Sequence, residues 1–330
     1  MIRVAVDAMG GDLAPKSTVQ GALLALKQSD EIEVLLVGRP EAIEAELSGA
    51  ETDPRLQIIP AEEVIETGEH PVMAIQKKKN SSMVVGLKLI SEGKADAFVS
   101  AGSTGALLVG GQTVAGRLPG IKRSPLAVLI PTLKGKSVLL DCGANVDARP
   151  ENLVQFAVMG ALYAEHVLGI QNPSVGLVNI GTEEEKGNEL TRATYPLLKE
   201  CPGIRFTGNA EARDLAYGVA DVYVCEAFTG NVILKMYEGV AKALLKQIKE
   251  ALMSSVRGKI GGLLIKPSLS GLKKQFDSSE DGGAPMLGLK GLVVKAHGNS
   301  TEIQMKNAIL QCVEFSRQNM KDKIQEAIQK

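Results

Sequence analysis

SAGSTGALLVGG, the stretch from Ser100 to Gly111, predicts a strand end, a tight turn and a helix in immediate succession. An apolar run from Ala95 to Val99 precedes it, and the alanine, leucine and valine residues after the turn continue at helical length. Glycine and small hydroxyl residues occupy the turn. Such a junction presents unpaired backbone N–H groups and the positive end of a helix dipole, so it can bind an anion without a charged side chain.

Short apolar runs of this kind alternate with helical patterns along almost the whole chain. The alternation is typical of parallel strands joined by crossover helices, and continuously apolar strands are expected where helices cover both faces of a sheet. We therefore expect a doubly wound, three-layer α/β/α fold in one domain, residues 1–330, and two lobes remain an open alternative. The predicted strands are Ile2 to Asp7, Glu33 to Val37, Leu56 to Pro60, Ala95 to Ser100, Leu126 to Pro131, Ser137 to Asp141, Ser174 to Ile180, Ile204 to Gly208, Asp221 to Cys225 and Leu292 to Ala296.

Six of these strands are followed by small, glycine-rich and polar residues. Ligands of doubly wound folds bind at the carboxyl ends of the strands, so several of these loops are expected to face one crevice. The six sequences are AMGGD after Asp7, AGSTGA after Ser100, CGANVD after Asp141, GTEEEKGNE after Ile180, CEAFTGN after Val224 and HGNS after Ala296.

The composition excludes several classes of protein. A net charge of -1, 3% aromatic residues and no tryptophan argue against nucleic-acid binding. The four cysteines form no CxxC pair, which disfavours a zinc site or a disulfide framework. The N-terminus fits a buried strand rather than a signal peptide, and no apolar run reaches the roughly 18 to 20 residues of a membrane span. We expect a cytoplasmic protein.

Common nucleotide and hydrolase motifs are also missing. The sequence contains no GxG, and therefore no GxGxxG dinucleotide loop, and the GKS at Gly135 to Ser137 lacks the preceding glycine of a P-loop because Ile130 stands there. HExxH, GxSxG and EF-hand patterns do not occur.

Seven stretches resemble motifs of the bacterial phosphate acyltransferase (PlsX) family, in order from residue 1 to about residue 300. The resemblance implies a Rossmann-like fold similar to phosphotransacetylases and isocitrate-type dehydrogenases, a homodimer, and transfer of an acyl group from acyl carrier protein to inorganic phosphate. The acyl phosphate product would supply a membrane enzyme that acylates glycerol 3-phosphate. The stretches are DAMGGD (Asp7 to Asp12), KKKNSSM (Lys77 to Met83), SAGSTGA (Ser100 to Ala106), GANVD (Gly143 to Asp147), NIGTEEEKGNEL (Asn179 to Leu190), FTGN (Phe228 to Asn231) and HGNS (His297 to Ser300).

Two positions depart from the family pattern. Glu226 and Ala227 stand where Asp-Gly usually precedes FTGN, so loss of the glycine puts the shape of this loop in doubt. Cys142 replaces the more usual valine, which we interpret as a substitution in the core.

The implied reaction requires placement of two reactants and stabilisation of an oxyanion rather than a strong base. The local sequence predicts that Lys186 is a surface lysine in a turn of mixed charge. The resemblance to the family instead implies that Lys186 binds phosphate. Asn231 is either a polar residue of a helix start or an amide donor to phosphate or thioester oxygen. His297 is either structural or a phosphate ligand and proton donor to the leaving thiolate.

A larger set of residues is assigned to substrate binding. The turn at Ser103 and Thr104 is expected to hold phosphate or acyl phosphate. The carboxylates after strands could suggest a metal site, but we favour acceptance of hydrogen bonds from loop N–H groups, and no metal or cofactor. The assigned residues are Asp7, Gly10, Gly11, Asp12, Ser103, Thr104, Gly105, Asp141, Gly143, Asn145, Glu183, Thr229 and Gly230.

Two basic regions are candidates for larger partners. Lys77, Lys78 and Lys79 could steer the acidic carrier protein, or they form a solvated helix face. Residues 251–280 form a basic, apolar excursion, predicted as two short helices broken at Gly261, Gly262 and Pro267. It is expected to contact an anionic membrane, with a dimer-interface hairpin as the competitor. Its key residues are Arg257, Lys259, Leu263, Leu264, Lys266, Lys273 and Lys274.

Three other functions remain open from the sequence. One is a phosphotransacetylase-like enzyme that uses short acyl-CoA, and another is a nicotinamide-dependent dehydrogenase on the related fold. The third is a non-enzymatic, phosphate-sensing scaffold at the membrane.

Overall fold

The strands of the chain form two mostly parallel sheets in the computed structural model, which describes residues 1–49, 53–275 and 282–329. The first sheet has the strand order β10-β11-β4-β1-β2-β3, and only the β10/β11 pair is antiparallel. Its strands come from both ends of the chain. They are β1 (Ile2–Asp7), β2 (Ile32–Gly38), β3 (Leu56–Pro60), β4 (Ala97–Ser100), β10 (Ala284–Met286) and β11 (Leu292–Lys295).

The second sheet is built from one continuous part of the chain. Its order is β5-β6-β9-β7-β8, with an antiparallel β5/β6 hairpin and parallel pairing elsewhere. Its strands are β5 (Val128–Thr132), β6 (Gly135–Leu140), β7 (Ser174–Asn179), β8 (Arg205–Glu211) and β9 (Val222–Val224).

Helices cover both faces of the sheets. In the first sheet α1 and α10 lie on one face and α4 on the other, while α6 and α7 pack on the second sheet. The helices are α1 (Lys16–Gln28), α2 (Pro40–Leu47), α3 (Pro71–Lys77), α4 (Ser82–Ser91), α5 (Thr104–Gly110), α6 (Pro150–His166), α7 (Glu189–Lys199), α8 (Ala227–Met253), α9 (Val256–Gln275), α10 (Glu302–Arg317) and α11 (Met320–Gln329), with a π-helical turn at Gly111–Ala115 and a 3₁₀ helix at Ala212–Tyr217.

The hydrophobic core joins the two sheets. One cluster contains Val6 and Val99 of the first sheet together with Val138 and Val175 of the second. Alternate residues of the first sheet, such as Phe98, face a separate cluster under α4 and α5. Side chains two residues apart on a strand share one face of the sheet. Asp7 and Ser100, the last residues of β1 and β4, therefore lie on the same face as the apolar residues that precede them by two positions.

The α/β fold predicted from the sequence is confirmed. The strands divide between two sheets, a division that the pattern of apolar runs did not predict. Each of the ten predicted strands has a counterpart, with ends displaced by up to three residues, whereas β10 was not predicted.

Helices α8 and α9 form a long hairpin, and the prediction of a break at Gly261 and Gly262 was wrong. The chain turns at Ser254 and Ser255, and α9 continues through both glycines and Pro267. A Cβ on Gly258 would lie only 2.5 Å from the carbonyl oxygen of Leu252, so this glycine allows α9 to approach the end of α8. Residues 276–280 of the predicted excursion lie outside the described residues.

Few residues of α8 are buried, and the hairpin exposes apolar side chains. Phe228, Val232, Met236, Val240 and Leu244 recur every four residues on α8 and are all at least half exposed. Within the described ranges, no helix is long and apolar enough to cross a membrane.

Candidate active site

Three loops of the first sheet meet at the carboxyl ends of β1, β4 and β11. A Cβ on Gly10 would lie 2.4 Å from Oδ2 of Asp7, so glycine is required for this close approach. Gly11 has φ of +108°, a conformation that favours glycine. The backbone N–H of Asp12 donates a hydrogen bond of 2.7 Å to the carbonyl oxygen of Gly298. The AMGGD loop is therefore fixed against the loop that follows β11.

The carboxylate of Asp7 lies beneath these loops and is 1% exposed. It accepts hydrogen bonds from the Ser100 hydroxyl at 2.7 Å, from the Met9 N–H at 3.3 Å and from the Ser82 hydroxyl. Burial raises the pKa of Asp7, and these hydrogen bonds oppose the increase. The carboxylate orders the loops, as the sequence analysis favoured.

The turn after β4 begins α5. Ser103 caps this helix, because its buried Oγ accepts from the N–H of Ala106 at 3.5 Å. Thr104 is exposed, and Gly105 packs against Pro71, where a Cβ would lie 2.6 Å from Cγ. The predicted succession of strand, turn and helix is confirmed.

The second sheet has a comparable buried carboxylate in Asp141, directly after β6. Its Oδ1 accepts from the N–H groups of Leu126, Gly143 and Ala144 at 3.0 to 3.2 Å, and its Oδ2 accepts from the N–H and the side-chain amide of Asn145 at 2.8 and 2.7 Å. Burial raises the pKa of Asp141, against the effect of these bonds. Gly143 adopts φ of +143°. Asp141 thus determines the shape of the GANVD turn.

Asn145 is held inside this turn. Its amide also donates to the carbonyl oxygen of Ser124 at 2.9 Å. Its Oδ1 and the Ser124 hydroxyl oxygen are buried without a hydrogen-bond partner in the described structure. These contacts place Asn145 in the support of the loop rather than at its surface.

Helix α8 begins directly after β9, and its first turn contacts the Asp141 loop. Glu226 caps the helix by accepting from the N–H groups of Phe228 and Thr229 at 2.6 and 2.9 Å, and from the Thr229 hydroxyl. Ala227 is helical and buried, so the departure from Asp-Gly leaves a well-capped helix start. A Cβ on Gly230 would lie 2.0 Å from the Asp141 carbonyl oxygen. Because Glu226 is the cap, Asn231 is free of that role and is exposed.

The loop after β7 carries Lys186 and Glu183. The Lys186 N–H donates to the Glu183 carbonyl oxygen at 3.2 Å, and the Asn179 amide donates to the Lys186 carbonyl oxygen at 3.1 Å. The Asn209 amide donates to the Glu183 carbonyl oxygen at 2.7 Å. The backbone of the loop is therefore fixed, whereas the Lys186 side chain is exposed and forms no ion pair with a described residue.

Helix α8 also approaches the end of the first sheet. Partial burial lowers the pKa of His297, and so do the charges of Lys235 and Lys242 on α8, while Glu238 raises it. Lys235, Glu238 and Lys242 of α8 thus act electrostatically on the end of β11. The described hydrogen bonds hold the two groups of loops separately.

Lys295, the last residue of β11, was not singled out by the sequence analysis. Burial lowers its pKa to about 8, while the charges of Asp7 and Asp12 act in the opposite direction and that of Lys235 lowers it further. The sequence contained a signal, since a lysine ends an otherwise apolar strand.

The two basic regions differ in how their charges are compensated. Lys78 donates to Glu69 at 2.6 Å and to the Val64 carbonyl oxygen at 2.7 Å, so its charge is neutralised locally. Lys77 and Lys79 are exposed. The predicted contact residues of α9 that the structure describes are all exposed, namely Arg257, Lys259, Leu263, Leu264 and Lys266, and the side chains of Lys273 and Lys274 lie outside the described part of the chain.

The structure therefore brings the predicted residues together in groups. Asp7 to Asp12 lie with the loops after β4 and β11, and Asp141 to Asn145 lie with Thr229 and Gly230. No hydrogen bond or ion pair joins Lys186, Asn231 and His297 within the described residues. In the same residues, no group of three or more His, Cys, Asp or Glu side chains could hold a metal ion.

The architecture is the Rossmann-like α/β fold that the phosphotransacetylases also have. A phosphotransacetylase from Streptococcus pyogenes matches with a TM-score of 0.59 and 16% identity, over 96% of this chain and 94% of that chain. The EutD phosphotransacetylase from Staphylococcus aureus matches with a TM-score of 0.57 and 14% identity, over 95% and 93% of the two chains. At these identities the likeness shows the fold alone.

The family follows from sequence comparison. A family model described as fatty acid synthesis protein matches residues 2–323. A phosphate acyltransferase from Brevibacillus brevis is 52% identical over 330 residues, covering 100% of this chain and 98% of the relative. One from Desulfitobacterium hafniense is 53% identical over 318 residues, covering 95% and 94%. The chain belongs to this family of phosphate acyltransferases, which confirms the resemblance to the PlsX family and identifies an enzyme that transfers an acyl group to phosphate.

Proposed function

We propose that this enzyme transfers a long-chain acyl group from acyl carrier protein to inorganic phosphate, giving acyl phosphate and free carrier protein. The observation that carries the proposal is the set of glycine-rich loops at the strand ends, held by the buried carboxylates of Asp7 and Asp141, in a chain whose relatives are phosphate acyltransferases. Backbone N–H groups in such loops are suited to phosphate.

The chemistry needs no covalent enzyme intermediate. A phosphate oxygen attacks the thioester carbonyl carbon, the new C–O bond forms, and the C–S bond of the tetrahedral intermediate then breaks. The proton of the phosphate dianion ends on the leaving sulfur, so that acyl phosphate and a thiol are produced. The protein has to position phosphate and thioester and to stabilise the oxyanion.

Three side chains are assigned to these tasks. We assign phosphate binding to Lys186, because its exposed ammonium stands on a fixed loop and forms no ion pair with the residues that the structure describes. Asn231 donates from its amide to phosphate or the thioester oxygen. His297 donates a proton to the leaving thiolate, or binds phosphate. The lowered pKa of His297 means that it is mainly neutral near pH 7, so its proton must be supplied within the reaction cycle.

The test is turnover of purified protein with palmitoyl-acyl carrier protein and inorganic phosphate, with hydroxylamine present to trap acyl phosphate. We expect hydroxamate formation that depends on phosphate, and equivalent release of free carrier protein. A folded sample that forms no hydroxamate would reject the proposal.

Short acyl-CoA is the alternative donor, since the fold is shared with phosphotransacetylases. The same assay with acetyl-CoA distinguishes the two, because our proposal requires far better use of the long-chain carrier substrate. The scaffold alternative predicts that Lys186→Ala leaves growth of the host unchanged. A nicotinamide cofactor that binds the protein would favour the dehydrogenase alternative.

We further propose that the hairpin has two partners. The apolar stripe of α8 (Phe228, Val232, Met236, Val240 and Leu244) is suited to a second copy of the chain, because five exposed apolar residues on one helix are costly to leave in water. Helix α9 combines exposed Leu263 and Leu264 with basic residues and no acidic ones, which suits an anionic membrane. There the acyl phosphate would be passed to the membrane glycerol-phosphate acyltransferase.

Different variants test the two partners. Leu263→Glu with Leu264→Glu should abolish flotation with anionic vesicles and leave the dimer intact, whereas Leu133→Glu, at an equally exposed leucine of the β5–β6 turn, should float normally. Val240→Glu should shift the mass in light scattering from dimer to monomer. Loss of the dimer in the α9 variant would favour the interface interpretation of that segment.

A further inference from the structure

A row of polar side chains crosses the end of the first sheet. In the register of the sheet, Phe98 of β4 lies beside Ala5 of β1 and Val293 of β11, and all three side chains face the core under α4 and α5. Two residues further along each strand come Asp7, Ser100 and Lys295, and Lys295 is the register partner of Ser100. Because side chains two residues apart share a face, these three form one row on the same side of the sheet.

The row places a cation beside a fixed carboxylate. Ser100 donates to Asp7 at 2.7 Å and accepts from the N–H of Gly102 at 3.1 Å, so both ends of its hydroxyl are occupied. Lys295 donates to the carbonyl oxygen of Ala296 and forms no ion pair within 4.0 Å among the described residues. Its ammonium can therefore still donate two hydrogen bonds.

Charges of both signs and closely packed glycines surround Lys295. Gly10 and Gly102 pack directly on Asp7, and a Cβ on either would crowd the space above the carboxylate. The titratable groups that interact electrostatically with the Lys295 ammonium are Asp7 at the end of β1, Asp12 in the loop after it, His297 and Lys235 of α8. Asp7 already accepts hydrogen bonds from Ser100, Met9 and Ser82, and its charge raises the pKa of Lys295. An anion from solution would supply a further acceptor for the Lys295 ammonium.

We propose that Lys295 binds the phosphate nucleophile at the end of the first sheet, which adds a substrate-binding residue to the reaction proposed above and rests on that function. Inorganic phosphate and the phosphodiester of the carrier protein's prosthetic arm share the same chemistry. We commit the site to the free ion, because inorganic phosphate is the nucleophile of the proposed reaction.

Lys295→Met keeps the length of the side chain and removes its charge. Loss of a charge-assisted hydrogen bond predicts an increase of roughly 10- to 100-fold in KM for phosphate, with little change in KM for the acyl carrier substrate. Lys290→Met is the matched control, because Lys290 is an exposed lysine of the β10–β11 turn. Calorimetric titration with inorganic phosphate alone should show the same loss of binding in Lys295→Met. An unchanged phosphate KM, or an increase only in KM for the acyl carrier substrate, would overturn the proposal.

A charge-preserving variant covers the case in which Lys295→Met does not fold. Since the Lys295 ammonium loses its proton near pH 8, kcat/KM for phosphate should decline above that pH in the wild type. Lys295→Arg stays protonated, so its profile should lack this decline. An identical decline in both proteins would reject the role of Lys295. Absence of any phosphate-dependent turnover in the wild type would instead reject the proposed function, which separates the two failures.

Discussion

Replacement of Gly230 by alanine tests the packing that positions the start of α8. The new Cβ would lie 2.0 Å from the Asp141 carbonyl oxygen and 3.0 Å from the Cys225 sulfur. The backbone around Asp141 is held by its N–H bond to Cys225 at 3.0 Å and by the N–H bond of Cys225 to Leu140 at 2.8 Å. The carbonyl therefore has little room to move, and the helix has to shift instead.

The expected loss of stability combines two opposing effects. Overpacking against a fixed backbone costs about 3 kcal/mol, the upper end of the usual range. Alanine gains about 1 kcal/mol over glycine through its helix propensity. Gly230→Ala should therefore reduce the free energy of unfolding by about 2 kcal/mol, which for a chain of this size lowers Tm by roughly 4 °C.

Gly239→Ala on the same helix is the control, because no atom lies within 4 Å of a Cβ at that position. Only the propensity effect applies there, so its Tm should rise by roughly 2 °C. Thermal unfolding of both variants in one buffer measures the difference, and turnover should fall only in Gly230→Ala, whose shifted helix carries Asn231. Equal changes in Tm would refute the argument that the Gly230 contact limits the position of α8.

Three further outcomes are expected. Lys186→Ala and Asn231→Ala should each reduce turnover by about 10² or more if the residue stabilises the transition state, and unchanged steady-state kinetics would remove it from the site. Asp141→Asn replaces one accepting oxygen by an NH₂ group that faces the donors of the loop, which should reduce the free energy of unfolding by about 3 kcal/mol and lower Tm by several degrees. Asp147→Asn, at an exposed carboxylate of the same loop, should leave Tm unchanged. EDTA should leave turnover unchanged, and a loss that magnesium restores would contradict the expectation of no metal.

Local patterns predicted the elements of the fold well. The apolar runs located the strands because burial between helices selects continuous stretches of β-branched and aliphatic residues. The division into two sheets could not be predicted, because it depends on which strands pair across long separations. The short β10, which contains Pro285, has too few residues to give a periodic signal.

The sequence predicted which loops form the candidate site, but it predicted the roles of individual side chains less well. The glycine turns pointed to the strand ends, and the carboxylates of Asp7 and Asp141 fix those turns as favoured. The replacement of Asp-Gly by Glu226 and Ala227 put the shape of the loop in doubt. In the structure the Glu226 side chain accepts hydrogen bonds from two N–H groups and caps α8. Lys295 was missed because its significance depends on the register of β11 with β4.

The first sheet combines strands from both ends of the chain, and this determines the order in which the two sheets can form during synthesis. A chain growing on the ribosome has all five described strands of the second sheet once residue 224 has emerged, but only four of the six described strands of the first. Until residues 292–295 arrive, β4 has an open edge of the kind that invites aggregation. The bond between Asp12 and Gly298 also forms only then. The loops at the end of the first sheet are therefore completed late in synthesis, and chains terminated before residue 292 are expected to be both inactive and dependent on chaperones.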